Sequence, residues 1–370
     1  MISLDSLAAN LAPSLAEVIA RARADLRMGV PIVLKSQTGM SLVAAAEGLT
    51  PDRFEALKAA GPVVLAITAR RAQTLKAYAH DGDVARLSLP ARATTDWIKA
   101  VANPEGDFAA PLKGPFPTAT EGCPVRHRAA IKLAKSARLL PAVVVTDTPE
   151  ALNLATTYGL TVVSVEAADP YMALLAPLND VIHARVPLAA SDAGRVHVFR
   201  PEDGGEEHFA IEIGKPDRDA PVLARLHSAC FTGDLFGSLK CDCGPQLHAA
   251  LAAMGENGSG ILLYLNQEGR GIGHANKMRA YSLQDQGYDT VEANHRLGFE
   301  DDERDFRIGA AILKELGFKS VKLMTNNPAK IARMQDQGIE VTQRVALQVG
   351  ENRHNTAYLA TKAKKSGHLL

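Results

Sequence analysis

Apolar residues recur at helical spacing from 16 to 28, stop at Gly29, and give way to the run Pro31-Ile-Val-Leu34, which predicts a helix followed by a strand. Thr50-Pro51 opens a second helix that ends at Gly61, before the strand-like Val63-Val-Leu-Ala-Ile-Thr68. A third helix over 128–139 is ended by Pro141, and Ala142-Val-Val-Val-Thr146 reads as a buried strand. Helices alternating with apolar strands point to α/β architecture. From about 170 to 194 the pattern loosens around Pro170, Pro177 and Pro187, so a boundary is expected near Val181, giving domains of residues 1–180 and 181–370. Past it, Arg195-Val-His-Val-Phe199 and His208-Phe-Ala-Ile-Glu-Ile213 alternate around Gly204-Gly205, the mark of a hairpin. The chain then becomes mixed, with strands expected over 261–265 and 321–324 and helices over 275–286 and 309–316. The expected fold class is therefore α/β (α+β) in two domains, the second β-rich at its start.

Composition narrows the function. With 370 residues, 46% of them hydrophobic, each domain can bury a full core. Lys+Arg and Asp+Glu both total 41, so no basic excess suits nucleic acid or an anionic membrane, and a polyanionic ligand must be held by a local cluster. The N-terminus lacks a basic region followed by an apolar run, and no segment reaches about 18 apolar residues, which predicts a cytoplasmic protein. The chain has 4 cysteines, and Cys230, Cys241 and Cys243 fall in one short stretch. That is a poor disulfide framework and a good set of metal ligands in a reducing compartment, with Cys123 an incidental thiol.

Three thiolates make a zinc site with one coordination position left over, which separates a catalytic zinc from a structural one. The loop from Cys230 can return onto the Cys241-Asp-Cys243 pair, and no further Cys or His follows at zinc-finger spacing, so water is the expected fourth ligand. Such a water ionises at about pH 7. His227 is either a fourth ligand or a packed group behind the site. After the strand ending at Leu265 comes Asn266-Gln-Glu-Gly-Arg-Gly-Ile-Gly273 and then a helix, a place where backbone N–H groups can approach an anion. Arg270, Lys277 and Arg279 supply cations close by. Thr325-Asn-Asn-Pro-Ala-Lys330 follows another strand, where α/β proteins bind ligands. Glu300-Asp-Asp-Glu-Arg-Asp305 reads either as a solvated loop or as carboxylates that orient Arg304 toward a phosphate. Tyr281 is either a core tyrosine or a proton donor or acceptor.

Together these residues resemble GTP cyclohydrolase II. The resemblance runs from about Arg195 to the C-terminus through Cys-x-Thr-Gly-Asp, Cys-Asp-Cys-Gly-x-Gln-Leu, Gln-Glu-Gly-Arg-x-Ile-Gly, Arg-Ala-Tyr-x-Leu-Gln-Asp-Gln-Gly, Asp-Thr-Val-Glu-Ala-Asn, Asp-Glu-Arg-Asp and Leu-x-Thr-Asn-Asn-Pro. It implies zinc on Cys230, Cys241 and Cys243, activating water for attack on C8 of guanine, with loss of formate and pyrophosphate in the first step of riboflavin biosynthesis. It implies GTP contacts from Arg225, Leu226, His227, Ser228, Ala229, Gln246, Glu268, Gly269, Arg270, Thr290, Thr325 and Lys330. Asp302 becomes the proton acceptor, Arg304 a nucleophile or clamp at the α-phosphate, and Tyr281 an aid to ring opening. Magnesium on the triphosphate and a homodimer are also implied.

Ala229 stands where the family usually has Glu, Lys240 and Asn266 replace frequent arginines, and His274-Ala275 replaces two leucines. The first half resembles 3,4-dihydroxy-2-butanone 4-phosphate synthase more faintly, through Leu26-Arg-Met-Gly-Val-Pro-Ile-Val-Leu34, Ala45-Ala-Glu-Gly-Leu-Thr-Pro51 and the 128–141 segment. Its magnesium-binding acidic loop is replaced by Lys35-Ser-Gln-Thr-Gly39, and its Thr-Glu by His127-Arg128, so a non-catalytic domain is expected. Two competing readings are a cyclohydrolase-like enzyme of pyrimidine catabolism and a GTP sensor without turnover.

Overall fold

The Ser14 hydroxyl accepts from the Glu17 N–H while the Glu17 carboxylate accepts from the Ser14 N–H, a capping box that starts the helix Leu15–Arg27. This helix buries Ile19, Ala22 and Leu26 on one face. Thr50 likewise caps Pro51–Ala60, with proline at the first helical turn as the sequence leads one to expect. The computed structural model describes residues 11–111, 113–367 and 369. The N-terminal segment expected to lack a targeting signal lies outside the described residues, and no helix among those described is long and apolar enough to cross a membrane.

By contact the chain forms two units. The first holds the residues up to Leu174 together with Met278–Tyr288 and Glu292–Asp301; the second holds Leu175–Lys277, Asp289–Val291 and Asp302–Leu370.

In the first unit, strands β1 (Ile32–Ser36), β2 (Gly39–Ala45), β3 (Val63–Thr68), β4 (Val84–Ser88), β5 (Ala142–Asp147) and β6 (Val162–Ser164) form one sheet in the order β4-β3-β5-β2-β1-β6. Four of its five pairings are antiparallel and only β1–β6 is parallel. The alternating helix and strand pattern therefore builds an α+β sheet here, because periodicity encodes which face is buried and not which way a neighbour runs. The helix Val125–Ser136 packs its alanines and Ile131 into the core with Val43, Ala66 and Val145. The segments 278–288 and 292–301 belong to this unit, where Arg279 pairs with Glu47 at 2.7 Å and Thr68 Oγ1 donates to the Gly298 carbonyl at 2.8 Å.

His127 is buried in this unit, and burial lowers its imidazole to about 4, with the Arg86 and Arg126 charges acting in the same direction and Asp147 against it. Its folded pKa lies below the ordinary 6.5, so between pH 6.5 and about 4 the unfolded chain binds a proton that the folded chain refuses. Stability is full above that window and falls with pH through it, by roughly 3 kcal/mol in the limit. Thermal unfolding followed from pH 7 to pH 4 should show a shallower loss in His127→Gln than in the parent chain.

In the second unit, β7 (Leu178–Arg185), β8 (Gly194–Pro201), β9 (His208–Ile213), β10 (Val222–Ser228), β11 (Gly260–Leu265), β12 (Ser320–Met324) and β13 (Glu340–Val345) are ordered β13-β12-β10-β11-β9-β8-β7. The expected hairpin is β8–β9, antiparallel with Val196 opposite Ile211. The loose run between 170 and 194 contains a strand that the sequence pattern hides. β7 is the sheet edge and seven of its eight residues are exposed, so no buried face imposes alternation on it.

The other half of this sheet is parallel: β10 pairs with β11 and with β12, and β12 with β13. β10 to β12 are apolar runs whose Ala224, Leu226, Ile261, Leu263, Val321 and Leu323 lie in one core with Phe306 and Ile312. From β10 the chain crosses through the helix Cys243–Glu256 to β11 on one side. From β12 it crosses through Pro328–Asp336 to β13 on the other. Neighbouring strands whose connections diverge leave a crevice at their carboxyl ends, and the cysteines and the Thr325 turn follow those two strands.

Candidate functional site

The helix Cys243–Glu256 begins at Cys243, with Asp242 at its N-cap. The Cys-Asp-Cys step is therefore a helix start, where the backbone dipole favours thiolates. The short helix Phe231–Asp234 directs the chain away from Cys230 and allows its return. The Sγ atoms of Cys230, Cys241 and Cys243 all lie within 4.8 Å of one another, with Cys230 and Cys241 3.7 Å apart. Gly233 makes room for them: a Cβ there would stand 2.8 Å from Cys241 Sγ and 3.0 Å from Cys230 Sγ. Hydrogen bonds from Cys241 and Cys243, and then the charge of Lys277, hold the Cys230 thiol far below its ordinary range. Cys241 and Cys243 are pushed up by their bonding to that anion and by burial. Three sulfurs arranged so that only one ionises readily are a donor set that fits a thiophilic divalent cation, whose charge would remove the remaining protons.

Lys277 is the residue whose place the sequence misreads. Its sequence neighbourhood groups it with Arg270 and Arg279 as a phosphate cation, yet its Nζ lies 3.1 Å from Cys230 Sγ, 2.9 Å from Thr232 Oγ1 and 2.8 Å from Glu268 Oε1. Arg279 pairs with Glu47 in the first unit. Lys277 and Arg279 therefore serve separate partners, because side chains two residues apart on a helix stand about 200° apart around its axis. Glu268 is buried and also accepts from the Phe231 N–H at 2.6 Å, so it ties the cysteine loop to the glycine loop.

His227 is not one of the three clustered ligands. Its Nε2 lies 3.1 Å from both oxygens of Asp234, and its ring stacks on Tyr264. Asp234 accepts in turn from Tyr264 Oη at 2.9 Å and from the Cys230 N–H at 2.9 Å. Asp234 and Tyr264 are positioning residues that the sequence reading missed, although Asp234 lies in its Thr-Gly-Asp motif. Arg225 is buried, which lowers its guanidinium to about 10 against the pull of Asp242. It donates to the Met324 carbonyl at 2.9 Å and to Gln246 Oε1 at 2.5 Å, and Gln246 donates to Asp242 Oδ2 at 2.6 Å. This relay runs from β10 to the residue between Cys241 and Cys243. Leu226 gives its side chain to the core and its carbonyl to Lys330 Nζ at 3.0 Å. Ala229 continues the strand pairing through its N–H to the Leu265 carbonyl at 2.8 Å.

Gly269 and Arg270 both adopt left-handed backbone, with φ of 63° and 61°. Holding a non-glycine residue there costs roughly 1–2 kcal/mol, and such strain collects at functional loops. The Glu303 N–H donates to the Arg270 carbonyl at 3.0 Å. Gly271, at φ 94°, brings its Cα so close to this strand of chain that a Cβ would stand 2.6 Å from the Glu303 carbonyl oxygen. Gly271→Ala should therefore shift the 302–304 loop and lower kcat/KM by roughly 10²-fold, the effect of a misplacement of about 1 Å. Steady-state kinetics beside a thermal melt would check this, with the melt moving by only a few degrees.

The same loop holds Arg304 in a fork. Its Nε and Nη2 donate to Asp302 Oδ1 and Oδ2 at 2.8 and 2.7 Å, and its Nη1 approaches Ser228 Oγ at 3.4 Å. Burial pushes the Asp302 carboxyl up, but Arg304 outweighs it and holds it below the usual range. Arg304 is raised in the same way by Asp302 against the cost of burial. The acidic run is thus a set of paired groups, with Asp305 bound to Arg307 at 2.7 Å. Around Phe306 gather Arg304 at 4.9 Å, Lys330 at 5.3 Å and Arg333 at 4.9 Å from the ring centre. Arg333 escaped the sequence reading, and its signal is its place three residues after Lys330 on one helix face. Thr325 Oγ1 accepts from the Asn327 N–H at 3.0 Å and Asn327 Oδ1 from Ala329 at 3.0 Å, so this turn caps the following helix. Thr290, the first residue of the helix Thr290–Arg296, groups with the second unit, whereas Tyr281 lies in the stretch 278–288 of the first.

The family model described as GTP cyclohydrolase II matches residues 179–346. A GTP cyclohydrolase-2 from Azospirillum brasilense is 46% identical over 364 residues, covering 95% of this chain and 93% of that protein. A GTP cyclohydrolase-2 from Azotobacter vinelandii is 59% identical over 47% of this chain and 84% of its own length. The riboflavin biosynthesis protein RibBA of Bacillus mycoides is 39% identical over 95% of this chain and 98% of its own length. With a relative at that identity along nearly all of its length and the family model across the cysteine site, this chain belongs to the GTP cyclohydrolase II family.

Proposed function

We propose that the protein hydrolyses GTP at C8 of guanine, releasing formate and pyrophosphate and leaving 2,5-diamino-6-hydroxy-4-(5-phosphoribosylamino)pyrimidine, the first step of riboflavin biosynthesis. The observation that carries this reading is the cluster of three thiols after parallel strands, with the Asp302-paired Arg304 reaching Ser228, two residues before Cys230, at 3.4 Å. Cys230, Cys241 and Cys243 would hold zinc, which when bound supplies an acidified water and electrophilic assistance at a carbon otherwise slow to react. Lys277 offsets the excess negative charge of three thiolates through its 3.1 Å contact with Cys230. Asp234, held by His227 and Tyr264, fixes the Cys230 backbone. The guanidinium of Arg304 stays protonated beside Asp302, which suits a clamp on the α-phosphate and not a nucleophile. Lys330 and Arg333, with magnesium on the triphosphate, would take the charge that develops as pyrophosphate leaves. Glu268, Gly269, Arg270, Gln246, Arg225, Ser228 and Thr290 form or brace the walls in this reading, and Tyr281 assists ring opening.

Residues 181–370 carry the catalysis in this proposal and residues 1–180 do not. At the β1–β2 turn, where a synthase-like magnesium site would need carboxylates, Arg126 Nη1 donates to Ser36 Oγ at 3.0 Å and Thr38 Oγ1 at 2.8 Å. A guanidinium on two hydroxyls does not fit a magnesium ion. Purified protein incubated with GTP, zinc and magnesium should yield formate and pyrophosphate in equal amounts. Neither product would favour the sensor reading, and pyrophosphate alone an altered reaction.

A further inference from the structure

The edge ribbon β7–β8 carries a second cluster of ligand types, separate in residues and strands from the cysteine site. His183 stands directly opposite His197 in the antiparallel register, with ring centres 5.0 Å apart. Cross-strand partners share a face of the sheet. Asp180 is three residues before His183 and would ordinarily face the other way. The register shifts between Asp180 and Ile182, so Asp180 pairs with Phe199 while His183 pairs with His197. That irregularity absorbs one residue and turns Asp180 onto the histidine face, a use to which bulges are put near sites. One ligand atom from each of Asp180, His183 and His197 lies within 4.8 Å of the others.

His197 supplies the second observation. It is only 5% exposed, and neither Nδ1 nor Nε2 has a hydrogen-bond partner. A buried imidazole with two unused nitrogens is costly unless something is bound there. Its nearest charged neighbour on the adjacent strand is Glu212, with Oε2 4.0 Å from His197 Nε2, and Glu212 is itself taken up by Arg218 at 2.5 Å.

We propose that Asp180, His183 and His197 form a second metal site, for a borderline divalent transition ion such as zinc or cobalt. Two imidazoles and one carboxylate are a donor set for such ions, not for calcium or magnesium. At metal–ligand bonds of 2.0–2.1 Å the donor atoms stand about 3.3 Å apart, so the cluster must close slightly. Asp180 and His183 are exposed and can turn to do so, whereas His197 is fixed. Arg185 and Arg195 pair two residues further along the same ribbon and place positive charge nearby, which makes this site the weaker of the two.

The test is metal content and spectroscopy on the full-length protein, independent of turnover. Equilibrium dialysis against zinc should give two equivalents per chain and one in His183→Ala, an exposed substitution that leaves the core untouched. With cobalt, a Cys241→Ser/Cys243→Ser chain should retain visible ligand-field bands without sulfur charge transfer, and adding His183→Ala should remove them. A single zinc equivalent in the parent chain would overturn the site. So would cobalt bands in the cysteine variant that His183→Ala and Asp180→Asn leave unchanged.

Discussion

Cys243→Ser is expected to reduce formate release from GTP below detection and to remove one zinc equivalent per chain. Serine keeps the size of the side chain at the start of the Cys243–Glu256 helix, so the helix and the close approach of Gly233 survive. What changes is the donor: a hydroxyl gives up its proton to a divalent cation far less readily than a thiol does, and hard oxygen suits zinc less than sulfur. The two remaining thiols would hold zinc too weakly for it to supply its chemistry there. Metal analysis by mass spectrometry and a formate assay measure both losses. Full formate release in a chain lacking that zinc would remove the cysteine cluster from the chemistry.

Arg304→Lys is expected to lower kcat/KM by about 10²–10³-fold, the usual cost of removing one preorganised charge donor. The fork to Asp302 uses Nε and Nη2 together, and a lysine ammonium cannot reproduce two parallel bonds. Asp302, half-buried and held below the usual carboxylate range by this pair, then loses its orientation as well. Formate and pyrophosphate should fall in parallel if Arg304 positions the nucleotide. Pyrophosphate falling alone would restrict its role to the phosphates, and near-normal kinetics would show that it does neither.

Much of this was legible from residues alone. The Cys230, Cys241 and Cys243 spacing needed no structure to suggest an ion, because three soft donors in fourteen residues have few other uses. Buried strands such as Val63–Thr68 and Ala142–Asp147 announce themselves by apolar runs with turn residues at their ends. β7 did not, because an exposed edge strand has no face for hydrophobicity to mark. The contact of Lys277 with Cys230 is invisible in the sequence because the two are 47 positions apart and only the fold joins them. The same holds for Tyr264, which reads as one more apolar position in β11 yet donates to Asp234. Arg333 gathers at Phe306 only because the helix after β12 faces the loop before the helix Arg307–Glu315. Ala229, the departure beside the first cysteine, has only a backbone pairing to Leu265, and nothing in the structure explains why a carboxylate is absent there.

In the proposed reaction, water attacks C8 of guanine at the cysteine cluster. GTP labelled with carbon-13 at C8, incubated with the purified protein and magnesium and followed by NMR, tests it directly. The label should emerge as formate in step with pyrophosphate, stop when zinc is chelated, and resume when zinc is restored. Pyrophosphate with the label still in the purine, or formate undiminished without zinc, would contradict it.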